Sequence, residues 1–304
     1  MIFSIAGTLL LSVLLTLAMI KLAVRLNIVD RPDSFLKPHA KVTPYMGGVG
    51  VFFSVIFFYI TDIQFVIPSI ILLILGLYDD IKSLNPKIRI LVEFLTISSF
   101  VVLYSSETNP LWLMLLVLTG VALINSVNMI DGMDGVCTGT VLIALACFYF
   151  LTGDWRILLF IAALSGFLIF NFNPAKIFLG DAGSYFLGFS LFFYLIQLFR
   201  QSHFEGYIKG IIVCGLLFTD LFFAVLRRMI NGKSPFSGDR DHLYDKLSRQ
   251  KGVSVKLSSL IMYVFALIFG VIGSVSWNNL FFGVIISLIV FLYIGIKYRL
   301  YTYK

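Results

Sequence analysis

The chain alternates long apolar runs with short polar junctions. Eleven runs read as helices, at roughly 2–24, 46–62, 65–78, 88–104, 110–124, 136–152, 155–171, 184–200, 207–228, 255–273 and 279–298. About 20 apolar residues in a helix cross a hydrocarbon core of roughly 30 Å. In lipid every backbone polar group must bond internally, so runs of this length are helices. The pattern predicts an all-α integral membrane protein with about 11 transmembrane helices, or ten if the short third run does not cross. The first run carries no charge before Lys21, so it reads as a retained helix and not as a cleaved signal peptide. The whole chain, 1–304, reads as a single polytopic domain.

Composition supports this class. Only 13% of the 304 residues are charged and 59% are hydrophobic, whereas soluble domains carry about 25% charge. Cys137, Cys147 and Cys214 lie in or beside apolar runs without paired spacing; they read as small core residues with no disulfide. No internal repeat is visible, which weighs against a repeat-built transporter.

Charge orients the chain. With eleven spans, one side holds every Lys and Arg except Arg156, Arg200 and Lys209. The positive-inside rule then places the N-terminus outside and the C-terminus in the cytoplasm. Asp79, Asp80, Asp131, Asp134, Asp181, Asp239, Asp241 and Asp245 fall on that same side, although the rule is nearly indifferent to acids. Acids at one depth on several helices can converge, and on a basic face this points to a divalent cation.

Four junctions carry the chemistry. Asp79-Asp80 ends the third run, and Pro86 suits the first turn of the fourth. Neighbouring aspartates lie about 100° apart on a helix, so one can face a reaction centre while the other bonds structurally; a solvated acidic loop end is an equal reading. Asn125, Asn128, Asp131 and Asp134 recur every third residue between two apolar runs, with Gly132 and Gly135 to end or bend the helix. Their hard oxygens suit Mg²⁺; a hydrogen-bonded helix end is the bland reading. Gly180-Asp181-Ala182-Gly183-Ser184 opens the eighth run. A small-residue helix start presents N–H groups to a phosphate, with Asp181 either capping the helix or holding the cation. The longest polar stretch contains Asp239-Arg240-Asp241-His242-Leu243-Tyr244-Asp245, a loop that can bring Arg240 and His242 to a diphosphate. Lys37, His39 and Lys41 make the first junction basic, as lipid heads alone would require. Asp220 lies inside the ninth run, with Arg227 as its expected partner.

In order and at this spacing, these motifs resemble the polyprenyl-phosphate N-acetylhexosamine-1-phosphate transferases. The resemblance runs from about Asp30 to Leu247. It is carried by Lys37-x-His39, Pro44-x-x-Gly47-Gly48, Asp79-Asp80, Asn125-x-x-Asn128-x-x-Asp131-Gly-x-Asp134-Gly, Gly180-Asp181-x-Gly183-Ser184 and Pro235-Phe236-x-x-Asp239-Arg240-x-His242. It implies a site formed by loops about 25–45, 79–89, 125–135, 172–183 and 229–254 on the cytoplasmic face of a bacterial inner membrane. It also implies Mg²⁺, with Mn²⁺ as a substitute, held by Asp181 and Asn128. Phe178 would stack on uracil and Asp134 would hydrogen-bond it. Asp79 and Asp80 would lie near the lipid phosphate, one of them as base or positioning group. Candidate catalytic residues are then Asp79, Asp80, Asp131, Asp181 and His242. Candidate substrate-binding residues are Lys37, His39, Lys41, Asn125, Asp134, Phe178, Gly183, Ser184, Arg240 and Tyr244. The chain departs from the family at Tyr244-Asp245, where histidines are usual, and at Arg89 and Glu93.

The expected reaction moves a HexNAc-1-phosphate, GlcNAc-1-phosphate foremost, from a UDP-sugar to undecaprenyl phosphate and starts a cell-envelope polysaccharide. A catalytically inactive scaffold and an ion-coupled transporter are the alternatives. No nucleic-acid partner is expected; a homodimer is a candidate assembly.

Overall fold

A computed structural model describes residues 1–32, 42–275 and 279–303. The helices are Ile2–Arg25 (α1), Gly47–Val55 (α2, continued by a 3-10 turn, Ile56–Tyr59), Ile63–Lys82 (α3), Pro86–Tyr104 (α4), Pro110–Ile130 (α5), Val136–Thr152 (α6) and Ile157–Asn171 (α7). Then follow Gly180–Val213 (α8), Gly215–Ile230 (α9), Leu243–Ser248 (α10), Val255–Val275 (α11) and Leu280–Lys297 (α12). Val29–Asp30 (β1) pairs antiparallel with Thr43–Pro44 (β2), a small addition to the expected all-helical fold.

Every predicted run is helical. Among the described residues six helices, α1, α3, α5, α8, α11 and α12, are long and apolar enough to cross a membrane. The third run, expected to be short, is a full 20-residue helix. The largest departure is at the eighth and ninth runs. α8 starts earlier, at Gly180, and continues to Val213 through a kink at Ser202 and His203. The expected ninth run is divided at Cys214. The three cysteines are free and buried, as expected.

Local chemistry sets the helix ends. Asn85 and Asn109 each cap a helix that opens with proline, accepting the N–H groups of Lys87 and Leu111. Gly153 closes α6 in the left-handed conformation.

α8 is the axis of the bundle. It packs against α2, α3, α5, α6 and α11, and nearly all its side chains from Ala182 to Phe199 are buried. Phe65 meets Phe186 and Phe193 edge-to-face and Phe189 at a tilt, while Phe160 stacks on Phe186. In lipid such contacts act by close packing, since hydrocarbon tails compete for apolar surface. Small residues therefore set the tightest crossings. A methyl group at Gly183 would lie 2.6 Å from the Gly48 Cα. Gly183→Ala is expected to lower stability by about 1–3 kcal/mol, read as a lower unfolding temperature in detergent. α1 and α12 turn outward, with Leu10, Leu14, Ile289, Leu292 and Ile296 exposed as lipid-facing residues are.

Candidate active site

The polar junctions meet at one end of the bundle. The start of α8 is clasped first. The N–H of Phe178 donates to Pro44 O, and the first N–H groups of α2, from Gly47 and Gly48, donate to Phe178 O and Leu179 O. The Pro44-x-x-Gly47-Gly48 turn thus fixes where α8 begins. Gly180 has φ +78, and a Cβ there would lie 2.8 Å from Asp80 Oδ2.

Asp80 explains that closeness. Its carboxylate accepts the N–H of Asp181 at 2.9 Å and of Ala182 at 3.2 Å. The helix end that was expected to offer free N–H groups to a phosphate is therefore filled by a carboxylate from α3, which satisfies the same dipole. Asp181 is not the cap: Leu179 holds that position and Asp181 sits in the first turn. Asp79 is buried and bonded, accepting Leu84 N–H at 2.6 Å and the Tyr185 hydroxyl at 2.7 Å, with Arg89 at 3.7 Å. Both members of the pair thus make structural bonds.

Next to this lies the end of α5. Asn128 Oδ1 accepts the Ser184 hydroxyl at 3.0 Å, and the same hydroxyl lies 3.2 Å from Asp181 O. Asp131 follows as the C-cap of α5. Burial raises its carboxyl well above the usual range, and the negative charges of Asp181 and then Asp134 raise it further. Asn128, Asp131 and Asp181 therefore gather hard oxygen ligands where like charge accumulates. Among the described residues no three His, Cys, Asp or Glu side chains form a metal cage. An open set of one or two carboxylates and a carboxamide fits Mg²⁺, which keeps waters and substrate phosphates as its remaining ligands.

The other expected residues take varied places. Asp134 holds the following junction, accepting Asn173 Nδ2 at 2.8 Å and Ala175 N–H at 2.9 Å. Asn125 is committed to a cluster of α4 and α5, donating to Glu93 Oε2 at 2.5 Å and accepting Arg89 at 3.4 Å. Gly183 is buried in the α2–α8 crossing and Ser184 beneath Asn128. Phe178 is half-buried beside the start of α8. Lys37, His39 and Lys41 lie outside the described residues.

The 231–242 loop is anchored from below. Asp220 pairs with His242, Oδ2 to Nδ1 at 2.6 Å, and accepts Leu243 N–H at 2.9 Å. Arg227, its expected partner, instead forks onto Asp239 at 2.9–3.1 Å and reaches Leu300 O at 2.6 Å. His242 is buried, stacked on Tyr244, with Asp239 3.4 Å from Nε2. Tyr244 is also buried and donates to Met129 O at 3.1 Å. These two residues support the 129–132 turn from beneath. Arg240 alone of the loop's basic groups reaches over it, donating to Gly132 O at 3.0 Å and pairing with Asp245 at 2.6 Å.

The stability of this anchor depends on pH. Burial alone would lower the His242 pKa, but Asp220 and then Asp239 outweigh it and raise the pKa above 6.5. The stability it contributes is complete below about pH 6.5 and is lost as pH rises through the raised folded value. Burial lifts the Asp245 carboxyl to about 6, against the opposing pull of Arg240. Its charging in the folded state costs stability between its unfolded value and about pH 6, which has the same sign. Unfolding temperature should fall as pH rises above about 6.5 through the raised His242 value, and His242→Gln should remove His242's share of that slope.

Sequence reasoning missed Glu93 and Tyr185 as site-supporting groups. A carboxylate one helical turn after Arg89 was the available signal for Glu93; nothing local marks Tyr185.

Residues 63–199 match the family model described as glycosyl transferase family 4. A Bacillus subtilis protein named probable undecaprenyl-phosphate N-acetylglucosaminyl 1-phosphate transferase is 32% identical, across 94% of this chain and 88% of its own length. The Thermotoga maritima undecaprenyl-phosphate alpha-N-acetylglucosaminyl 1-phosphate transferase is 32% identical over 86% of each chain. Its Escherichia coli K12 namesake is 25% identical over 93% of this chain and 85% of its own. Sharing their sequence nearly end to end, this multi-pass membrane chain belongs to glycosyl transferase family 4 and is a transferase.

Proposed function

We propose that the protein transfers GlcNAc-1-phosphate from UDP-GlcNAc to undecaprenyl phosphate, as the first step of a cell-envelope polysaccharide. The observation that carries this is the meeting of Asn128, Asp131 and Asp181 at the junction of α5 and α8. The names of the relatives support the lipid acceptor and the sugar phosphate. An oxygen of the lipid phosphate attacks the phosphorus that bears the sugar. The bond from that phosphorus to the UMP oxygen breaks, and UMP leaves. One phosphoanhydride replaces another, so the reaction is near balance.

Asp181 and Asn128 would hold Mg²⁺, with Asp131 beside them. When bound, the ion supplies charge neutralisation on the diphosphate. Asp80 fixes the first turn of α8 and so orients Asp181. Ser184 orients Asn128. Arg240 brings positive charge over the 131–135 turn, where a diphosphate would otherwise meet only acids. Phe178 and Asp134 flank this junction as the uracil-binding pair. In the eleven-span topology every Lys and Arg except Arg156, Arg200 and Lys209 falls on the side of these junctions, which supports a cytoplasmic site with the N-terminus outside.

Asp79, Asp80, Asp131, Asp134 and Asp181 crowd one end of the helices, unlike the midplane acids of an ion-coupled carrier. The departures at Tyr244 and Asp245, the basis for a scaffold reading, are engaged in holding the turn. The test is exchange of radiolabelled UMP into UDP-GlcNAc by purified protein with undecaprenyl phosphate. Mg²⁺-dependent exchange is expected; absence of exchange with every UDP-HexNAc would exclude the proposal.

A further inference from the structure

The segment after α12 folds back on itself. Arg299 takes φ +48, the left-handed position that closes a helix and that glycine fills without strain. Arg299 N–H donates to Ile296 O at 3.1 Å and Leu300 N–H to Gly295 O at 2.9 Å. The reversal buries Leu300, which is 1% exposed. It also presents three carbonyl groups to α9 and α10. Arg227 of α9 donates to Leu300 O at 2.6 Å. Lys246 of α10 donates to Arg299 O and Thr302 O, each at 2.6 Å. Lys233 lies over the Tyr303 ring, 4.0 Å from its centre. Residues 299–303 form a strap, tied to the chain both before and after the 231–242 loop.

Topology does not account for these ties. The positive-inside rule asks for cations near the cytoplasmic boundary, and exposed ones satisfy it. The Arg227 side chain is 1% exposed and Lys246 is 3% exposed. A buried cation is costly unless hydrogen-bonded, so both are held where the strap's carbonyl oxygens accept them.

What the strap holds is the support of the site. α10 is six residues long, so Lys246 and Tyr244 move as one short unit. Tyr244 donates to Met129 O at 3.1 Å and occupies the space that a side chain on Gly132 would need. Asp131 lies between these two contacts. Ser258 of α11 donates to Tyr244 O at 3.1 Å and braces the unit from its other side. We infer that residues 299–303 are a positioning element of the transferase, setting through Lys246 and α10 where Tyr244 holds the turn that carries Asp131. The inference rests on the reading of that junction as the transferase site.

The test uses the full chain. Lys246→Met removes the ammonium and keeps an unbranched stem. Leu300→Ala loosens the strap from its apolar seat and leaves every cation in place, so it carries the test if Lys246→Met fails to fold. Deuterium uptake in detergent is followed by mass spectrometry. Both variants should exchange faster over 129–135, and as the unmodified chain does over 153–157, at the other end of α6. Uptake does not depend on the reaction, so this result is separate from the success or failure of the proposed substrates. Product formed at saturating UDP-GlcNAc, well below the unfolding midpoint, should fall about tenfold, within the reach of mutations that touch no ligand. Tyr244→Phe should lower it by a similar factor. Joined to either strap variant it should lower it little further, because both act through one contact. A control, Lys297→Gln, removes an exposed cation of α12 outside the strap and should match the unmodified chain in both measurements. Faster exchange confined to the turn, with losses that do not multiply, supports the inference. Unchanged uptake over 129–135, a rise spread along the whole chain, the same change in the control, or losses that multiply in the double variants would overturn it.

Discussion

Asp181→Asn should reduce transfer by about 10²–10³-fold, the usual effect of losing one group aimed at transition-state charge. The substitution keeps the size of the side chain in the first turn of α8 and leaves the backbone N–H groups capped by Asp80. It removes one of the charges that raise the Asp131 carboxyl, so the unfolding temperature should hold or rise. The concentration of Mg²⁺ giving half-maximal rate should also increase, because a carboxamide oxygen is the weaker ligand. Lipid product formed in a single turnover, followed over a Mg²⁺ series beside a melting curve, checks all three. A variant with lost activity and a collapsed melting curve would assign Asp181 a structural role instead.

The second large effect falls on stability. Asp239 is the hub of the loop anchor: Arg227 and Arg228 both fork onto it, and His242 lies 3.4 Å away. Burial would raise its carboxyl, but Arg228, His242 and Arg227 together hold it below the usual range. The Arg227 and Arg228 side chains are 1% and 3% exposed. Asp239→Ala leaves both guanidinium groups buried without their shared carboxylate, at a cost of about 3–5 kcal/mol. Asp239→Asn retains the acceptor oxygen and should cost less. Thermal unfolding in detergent measures the difference. Activity should fall with Asp239→Ala even where the protein stays folded, since Tyr244 supports the turn that carries Asp131.

The apolar periods made the helices legible, because in lipid a run of that length has one backbone solution. They could not reveal the kink at Ser202 and His203, where no proline or glycine marks the change. The motif residues were legible as a set, yet their division of labour was not. Asp80 reads as a reaction-centre acid or a loop end; its bond to the start of α8 spans a hundred residues of chain. Asp220 announced itself as an intramembrane acid, but seven-residue spacing pointed to Arg227 while the fold supplied His242. Asn125 fits a ligand series by its spacing, and only the packing of α4 on α5 shows it held by Glu93 and Arg89. Local pattern marks the polar groups; long-range packing decides which of them remain open to a substrate.

The most direct measurement is mass spectrometry of the lipid fraction after purified protein, in liposomes containing undecaprenyl phosphate, meets UDP-GlcNAc and Mg²⁺. Undecaprenyl-diphospho-GlcNAc should appear in equal amount to released UMP, and should be absent with Asp181→Asn or with a chelator. No lipid product, or one that forms equally well with Asp181→Asn, would contradict the assignment of the α5–α8 junction as the transferase site.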